Sequence, residues 1–179
     1  MNVNLQPTLT GSLVELRPVR PDDFEQLFAA ASDPLIWEVH PEPDRYQRAV
    51  FQKFFAGALE CKGAFTVLDR KSGRVIGSTR FHHYYPDKRQ VEIGWTFLAR
   101  EFWGGDYNGE MKRLMLDHAF GFVDRVVFTV GENNVRSQKA VRKIGGVLIG
   151  TEDRPGLDGT LRHNVVFAID KHAWKAAHV

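Results

Sequence analysis

Residues 90–112 read QVEIGWTFLAREFWGGDYNGEMK, and the architecture of the chain follows from them. The first nine of these residues predict a β-strand, and the part from Asn108 onward has the apolar spacing of a helix. Between the two lie Gly104 and Gly105. Glycines at such a junction let backbone N–H groups approach an anion, and the helix dipole adds favourable partial positive charge. The stretch therefore predicts a strand, an anion-binding loop and a helix.

The glycine loop does not match the two common phosphate-binding motifs. A P-loop ends in Gly-Lys-Ser/Thr, and the dinucleotide fingerprint needs three spaced glycines and an acid about twenty residues further on. Taken alone, a Gly-Gly-Asp turn is equally typical of an ordinary loop in which Asp106 caps the following helix.

Upstream of this unit, the sequence predicts one strand, two helices and two more strands. Pro21-Asp22-Asp23 is a favourable first turn for the first helix, and Lys62-Gly63 ends the second. Short polar turns at 71–73 and 86–88 indicate that the strands form an antiparallel meander. The predicted strands are Leu13–Pro18, Ala64–Leu68 and Val75–Tyr85, and the second helix carries the apolar face Phe51, Phe54, Phe55, Ala58 and Leu59 after a polar start near Asp44.

Downstream, two helices alternate with strands. A helix that links two strands of one sheet makes a parallel crossover, so the predicted class is α/β (α+β). A mixed sheet of about seven strands would have helices on both faces. The predicted elements are a helix from Asn108 to Val123, a strand from Val126 to Val130, a helix from Val135 to Ile144 that stops at Gly145-Gly146, and strands Val147–Thr151 and His163–Ile169.

Composition indicates one ordinary domain spanning residues 1–179. The chain is 43% apolar and has 24 Lys and Arg against 22 Asp and Glu, which excludes a disordered or fibrous protein and gives little reason to expect nucleic-acid binding. The first residues lack a signal peptide's basic start and apolar stretch, and Cys61 is the single cysteine. We therefore expect a cytoplasmic protein, as a monomer or a homodimer.

Several motifs around the glycine loop together resemble the GNAT acetyltransferases, specifically the RimJ/RimL-type N-acetyltransferases. Glu92-Ile93-Gly94-Trp95 precedes the loop, and the segments 133–137 (NNVRS) and 143–145 (KIG) follow it. In that family a strand reading like EIGW leads to a WG-x-G-Y loop, an N-x-E-x-K helix, a strand, and an N-x-R-S helix ending in K-x-G. The match runs from about Ile76 to Gly150.

The resemblance implies the GNAT fold with splayed central strands and acetyl-CoA, as acyl donor, between strands 90–98 and 126–130. The loop at 100–107 would wrap the pyrophosphate, and Asn134 with Ser137 would line the pantetheine arm. No metal is implied. The implied cofactor-binding residues are Phe97, Leu98, Arg100, Trp103, Gly104, Gly105, Asp106, Tyr107, Asn108, Lys112, Asn134 and Ser137.

Two acids depart from the family pattern. Glu101 stands where the family has Gln or Arg, and Asp106 replaces its second glycine. The repulsion between like charges a few ångströms apart costs about 1 kcal/mol in water and more where water is excluded. The two acids therefore either point away from a pyrophosphate or weaken its binding. Arg100 and Lys112 are placed to compensate, or else are solvated surface residues.

Amine acetylation needs a neutral amine, a donor for the developing oxyanion and a proton for the departing thiolate. Glu92 is the candidate base, with a strand glutamate paired to an arginine as the alternative. Ser137 is the candidate acid, or else caps its helix. The oxyanion donor would be a backbone N–H at a strand distortion around 95–97, and Tyr107 has the character of a packing residue.

The predicted acceptor is a protein N-terminal α-amino group. Deprotonating an α-amine at pH 7 costs about 1 kcal/mol and a lysine about 4.6, so a weak base suits α-amines. A polyamine, amino acid or antibiotic is the alternative, and a non-catalytic acyl-CoA-binding regulatory module is the alternative of another class. The basic helix residues Arg136, Lys139, Arg142 and Lys143 suit a solvated face, a contact to the CoA 3′-phosphate or nucleic acid.

An acceptor pocket is predicted from aromatic and histidine side chains. Alternation along strand 75–85 places Phe81, His83 and Tyr85 on one face, where they line a pocket with Trp37 and His40 or form part of the core. By the same alternation His82 and His83 point apart, which argues against a shared metal ion.

Overall fold

A computed structural model of the chain describes residues 3–156 and 158–178. None of the helices in these residues has the length and apolar composition that a membrane span requires. The strands are β1 (Leu9–Thr10), β2 (Val14–Pro18), β3 (Ala64–Asp69), β4 (Val75–Tyr85), β5 (Gln90–Leu98), β6 (Arg125–Gly131), β7 (Val147–Pro155) and β8 (Leu161–Asp170). The α-helices are α1 (Phe24–Ala31), α2 (Arg48–Glu60), α3 (Tyr107–Ala119), α4 (Val135–Lys143) and α5 (Lys171–Ala177).

The strands form one eight-stranded sheet in the order β1-β2-β3-β4-β5-β6-β8-β7. Neighbours pair antiparallel except β5 and β6, which pair parallel across the α3 crossover. This confirms the predicted mixed sheet, in which a meander leads into one βαβ unit. The eighth strand is β1, whose two residues are too few to show an alternating pattern.

Helices cover both faces of the sheet, as predicted. On one face α1 and α2 enclose a cluster rich in phenylalanine, which includes Phe51, Phe54 and Phe97. On the other face α3 supplies Met111 and Met115 to the larger cluster. Aromatic rings dominate the first cluster, with centroids of Phe51 and Phe97 6.0 Å apart, and this packing fixes β5 beneath α2.

The centre of the sheet is split. Strands β5 and β6 pair only between Gln90–Glu92 and Arg125–Val127, and they diverge beyond that point. In the same region Trp95 adopts φ 49°, and Thr79 of β4 stands opposite two residues of β5, which is a β-bulge. The predicted splay and the predicted distortion near residue 95 are both confirmed.

The end of the chain differs from the prediction in two ways. A fifth helix, α5, follows β8, and its Trp174 is buried with Nε1 donating to Asp117 Oδ1 at 2.8 Å. Seven helical residues with one large apolar side chain carry too little periodicity to be recognised. Strand β7 also extends to Pro155, and it forms the edge of the sheet with Val147 and Leu148 exposed.

Strand β4 does not alternate to its end. His83 has φ 44°, and the register with β5 shifts between His82 and Tyr85. Phe81 consequently lies in the core, with its ring 5.8 Å from that of Phe65, whereas His83 stacks on Tyr85. The prediction that Phe81, His83 and Tyr85 share a face was wrong for Phe81, because a bulge reverses the alternation.

A buried carboxylate fastens the N-terminal hairpin to α3. Glu110 accepts hydrogen bonds from the backbone N–H groups of Ser12, Leu13 and Val14 at 2.7 to 2.9 Å and from the Ser12 hydroxyl at 2.5 Å. Burial raises the pKa of Glu110, but these hydrogen bonds outweigh it and lower the pKa overall. The carboxylate therefore stabilises the fold at pH values above its ordinary range, and this contribution is lost on acidification.

Replacing Glu110 with glutamine is expected to lower the free energy of unfolding by about 2 kcal/mol at neutral pH, because an amide N–H₂ then faces backbone donors. Urea denaturation measures the loss. The difference from wild type should shrink as the pH falls through the carboxylate's titration. Glu60→Gln, at an exposed position at the end of α2, is the matched control. Equal stability of Glu110→Gln and wild type at neutral pH would refute this role.

Candidate active site

A cavity of about 540 Å³ opens where β5 and β6 diverge. One end is formed by the glycine loop and the first turns of α3 and α4, and we call it the loop end. The other end, the arginine end, is formed by the segment 36–45, by the first part of β5 and by β7 and β8. The residues that line the arginine end include Trp37, His40, Glu42, Arg45, Glu92, Trp95, Arg154, Arg162 and Asn164.

The loop end exposes backbone to the cavity. Gly104 has φ +74°, a left-handed conformation that favours glycine, and a Cβ placed on Gly104 or Gly105 would meet nothing within 4 Å. Trp103 anchors the loop through Nε1, which donates to the Leu98 carbonyl at 2.9 Å. Helix α3 starts directly after the loop, so its free N–H groups and dipole favour an anion here.

Arg136 links the glycine loop to the start of the segment 36–45. Its guanidinium lies 3.9 Å from the Trp103 ring centroid, and its Nη2 donates to the Ile36 carbonyl at 2.7 Å. Arg142 likewise covers the Phe167 ring. Two of the four basic residues of α4, Arg136 and Arg142, therefore make contacts within the protein.

The two acids that depart from the family pattern face different surroundings. Glu101 pairs with Arg74 at 2.7 Å and is more than half exposed, so it points away from the cavity. Asp106 lines the cavity at the α3 N-terminus, and its side chain makes no capping hydrogen bond. The interpretation of Asp106 as a side-chain cap was therefore wrong.

Most residues predicted to contact the cofactor line the cavity, but two do not. Arg100 forms an ion pair with Asp33 on the surface. The Tyr107 hydroxyl donates to Asp69 at 3.0 Å, which raises the pKa of Tyr107, and its ring packs on Phe102. The residues that do line it are Phe97, Leu98, Trp103, Gly104, Gly105, Asp106, Asn108, Lys112, Asn134 and Ser137.

The start of α4 is capped by Asn134. Its Oδ1 accepts from the Ser137 backbone N–H at 3.2 Å, so the asparagine, and not the Ser137 hydroxyl, performs the capping. The Ser137 side chain lies on the cavity wall.

Lys112 lies beneath the split in the sheet and is only 5% exposed. Its Nζ is 2.5 Å from Thr96 Oγ1 on β5 and 3.3 Å from Thr79 Oγ1 on β4. Burial lowers the pKa of Lys112 to about 7. The interpretation of Lys112 as a solvated surface residue was wrong, because the side chain runs inward from α3 toward the cavity that it lines.

Glu92 is the hub of the arginine end and is 2% exposed. Both of its carboxylate oxygens accept from the Arg154 guanidinium at 3.0 Å, and Oε2 lies 2.7 Å from His83 Nδ1. These contacts occupy three of the roughly four lone-pair positions of a carboxylate. The alternative reading, a strand glutamate paired to an arginine, thus describes the geometry, and the same carboxylate also reaches the cavity.

Two of the predicted acceptor residues line the arginine end. Trp37 is buried with Nε1 donating to the Ala31 carbonyl at 2.8 Å, and its ring lies 5.4 Å from that of His40. Burial, reinforced by Arg45, holds the pKa of His40 well below its usual range, so its imidazole is neutral. Phe81, His83 and Tyr85 are absent from the cavity wall.

Arg154, Arg45 and Arg162 were not predicted from the sequence. Arg45 is buried against the rings of Trp37 and Phe54, and burial lowers its pKa to about 10. Arg154 lies 62 positions from the glutamate that it binds. The sequence carries one signal for such a residue: a charged Glu92 within an apolar strand requires a buried partner, but the pattern does not identify which arginine supplies it.

The two adjacent histidines of β4 lie closer together than alternation predicts. The rings of His82 and His83 are 4.1 Å apart. Across residues 3–156 and 158–178, no group of three or more His, Cys, Asp or Glu side chains is placed to hold a metal ion.

Comparison with known proteins gives one family and a common fold. A family model described as an acetyltransferase (GNAT) domain matches residues 14–147. A GCN5-related N-acetyltransferase from Brucella melitensis is 22% identical with a TM-score of 0.81, over 96% of this chain and 81% of that chain. Mycobacterium smegmatis RimJ in complex with CoA-disulfide is 22% identical with a TM-score of 0.74, over 99% and 98%. A GNAT-family acetyltransferase from Bacillus anthracis is 19% identical with a TM-score of 0.75, over 93% and 99%.

Proposed function

We propose, from the premise that this chain belongs to the GNAT acetyltransferase family, that it is a RimJ/RimL-type enzyme that moves an acetyl group from acetyl-CoA to the α-amino group of a protein N-terminus. The observation that carries the proposal is the cavity between the diverging strands β5 and β6. It joins a loop suited to a phosphate group with a buried cluster of charged side chains suited to proton transfer.

The loop end fits a CoA molecule. Backbone N–H groups at Gly104, Gly105 and the α3 N-terminus suit a pyrophosphate, since no side chain of these two glycines stands in the way. Phe97 and Leu98 give apolar contacts for a pantetheine arm, and Asn134 and Ser137 give polar ones. RimJ of M. smegmatis, which has the same fold, was solved with CoA-disulfide, and this supports the assignment.

Acetyl-CoA supplies a carbonyl carbon activated by its thioester bond. The β5 bulge turns backbone N–H groups near Trp95 out of the sheet ladder, and we assign to them the stabilisation of the developing oxyanion. Glu92 lies on the cavity wall before the bulge, and we assign to it the uptake of the acceptor's proton. Ser137 is assigned a hydrogen bond to the thiolate.

The electrostatics of Glu92 favour an α-amine over a lysine side chain. A carboxylate is ordinarily a weak base, and Arg154 and His83 already bond to that of Glu92. At pH 7 a weak base has about 1 kcal/mol to overcome for an α-amine and about 4.6 for a lysine.

Calorimetric titration with acetyl-CoA and with CoA tests the donor half of the proposal. Micromolar affinity, about −8 kcal/mol, is the expected result. A thiol-release assay then compares N-terminal peptides, their Nα-blocked lysine-containing counterparts and polyamines. Turnover confined to free α-amines supports the acceptor, turnover of polyamines alone supports a small-molecule enzyme, and binding without turnover supports a regulatory module.

Removing the acidic side chain at the loop end is expected to strengthen CoA binding. Asp106→Asn keeps the size of the side chain and removes its charge from the proposed pyrophosphate site, so we expect an affinity increase of about threefold to tenfold at low salt. Asp106→Gly should behave alike. Glu101→Gln is the matched control, since Glu101 pairs with Arg74 away from the cavity. This variant should bind CoA with the affinity of wild type. Weaker binding by Asp106→Asn would show that the acid does not oppose the phosphate.

A further inference from the structure

Lys112 lines the cavity but has no role in the mechanism proposed so far. It projects from α3 into the gap between β5 and β6, with Thr96 on one side and the ring centroid of Phe128 5.9 Å from Nζ on the other. Thr96 belongs to the β5 bulge that we assign to the oxyanion. The amine therefore lies at the level in the sheet where the reacting thioester would be placed.

The contacts of Lys112 leave one N–H direction for a ligand. An ammonium has three donors, and the hydroxyls of Thr79 and Thr96 account for two of them. The two hydroxyls also lie 2.8 Å from each other, which fixes the amine in place. Among the described residues Nζ has no other polar partner, and the side chain is part of the cavity wall.

We propose that the Lys112 ammonium donates the proton that the departing CoA sulfur takes up, an inference that rests on the proposed function. The acceptor nitrogen bonds to the thioester carbonyl carbon, and the carbon–sulfur bond breaks with its electron pair going to sulfur. Sulfur then takes a proton from Nζ, while the acceptor nitrogen loses one to Glu92. Glu92 then releases its proton to solvent and Lys112 regains one from solvent, so that amine and thioester become amide and thiol.

The chemistry of the surroundings agrees with this role. A serine hydroxyl hydrogen-bonds a thiolate but is a very weak acid, whereas Lys112 has its pKa lowered to about 7 by burial. An acid of that strength transfers a proton readily to a thiolate whose thiol has an ordinary pKa of about 8.5. The side chains that meet the amine from β4, β5 and β6 are Thr79, Thr96 and Phe128, and none carries a charge.

The test measures the ionisation of CoA bound to wild type and to Lys112→Met. Thiolate absorbance near 240 nm is followed against pH, and the complex with desulfo-CoA is subtracted as the sulfur-free blank. We expect the bound thiol to titrate at least one pH unit lower in wild type than in Lys112→Met. We also expect a fall in kcat of about 100-fold with the acetyl-CoA KM changed less than threefold.

Lys53→Met, which removes an exposed lysine of α2, is the matched control and should leave both readouts unchanged. Equal thiol titration in wild type and Lys112→Met would overturn the inference and leave the proposed function intact. A 42 Da adduct on Lys112 after incubation with acetyl-CoA would also overturn it, because the amine would then be a nucleophile. Failure of wild type to bind CoA or acetyl-CoA would instead overturn the proposed function, and this inference with it.

Discussion

Lys112→Met is expected to be more stable than wild type at about pH 6.5, with a free energy of unfolding that is higher by about 2 to 5 kcal/mol. The reason is that Lys112 is only 5% exposed and that, among the residues the structure describes, no carboxylate contacts its amine. Burial lowers the pKa of Lys112 from 10.5 to about 7. Methionine has a similar length and carries no charge into the interior.

The sign of the pH dependence follows from proton binding. Below about pH 7 the lysine is charged in both states, and the folded state carries the whole cost of a buried ammonium. From about pH 7 to 10.5 the unfolded chain binds a proton that the folded chain does not, so wild-type stability rises with pH. The gain from Lys112→Met should therefore disappear toward pH 10, as urea denaturation at several pH values will show. A variant less stable than wild type at pH 6.5 would contradict this account.

Arg154→Met is expected to lower the free energy of unfolding by about 3 kcal/mol, because it leaves the carboxylate of Glu92 buried with His83 as its remaining partner. The loss should lie at the lower end of the range for broken buried pairs, since Arg154 is itself 26% exposed. Chemical denaturation at neutral pH measures it. Activity should fall as well, because Glu92 loses the contacts that orient it.

A double-mutant cycle separates this effect from lost packing. Combining Arg154→Met with Glu92→Gln removes the uncompensated charge, so the double variant should recover at least 1 kcal/mol relative to Arg154→Met alone. Arg125→Met breaks an exposed ion pair with Asp170 and is the surface control, with an expected loss below about 1 kcal/mol. Strict additivity of the two single changes at 154 and 92 would refute the coupling.

Local features of the fold were predictable from the sequence because short-range chemistry sets them. The glycine loop, the helix that follows it and the stop at Gly145-Gly146 depend on neighbouring residues. The order of strands around α3 follows from the crossover rule, and the bulge near Trp95 was predicted within the correct strand. These features place the cavity.

The remaining features depend on partners distant in sequence. In the sequence Lys112 resembles any helical lysine, and its burial follows only when β4 and β5 are packed against α3. The Glu92–Arg154 pair joins two residues that are 62 positions apart in the sequence. The alternation rule failed at His83 because its φ of 44° lies outside the strand region. No periodic pattern encodes any of these.

The divergence of β5 from β6 also determines which ligand groups the cavity can recognise. Beyond Glu92 and Val127 the peptide groups that face the gap have lost the neighbouring strand with which they would otherwise form a ladder. A ligand arm with its own amide groups can occupy that place and restore the pattern of a missing strand. Recognition of this kind uses backbone N–H and C=O groups. The side chains around the gap can therefore be substituted without loss of its hydrogen-bonding capacity.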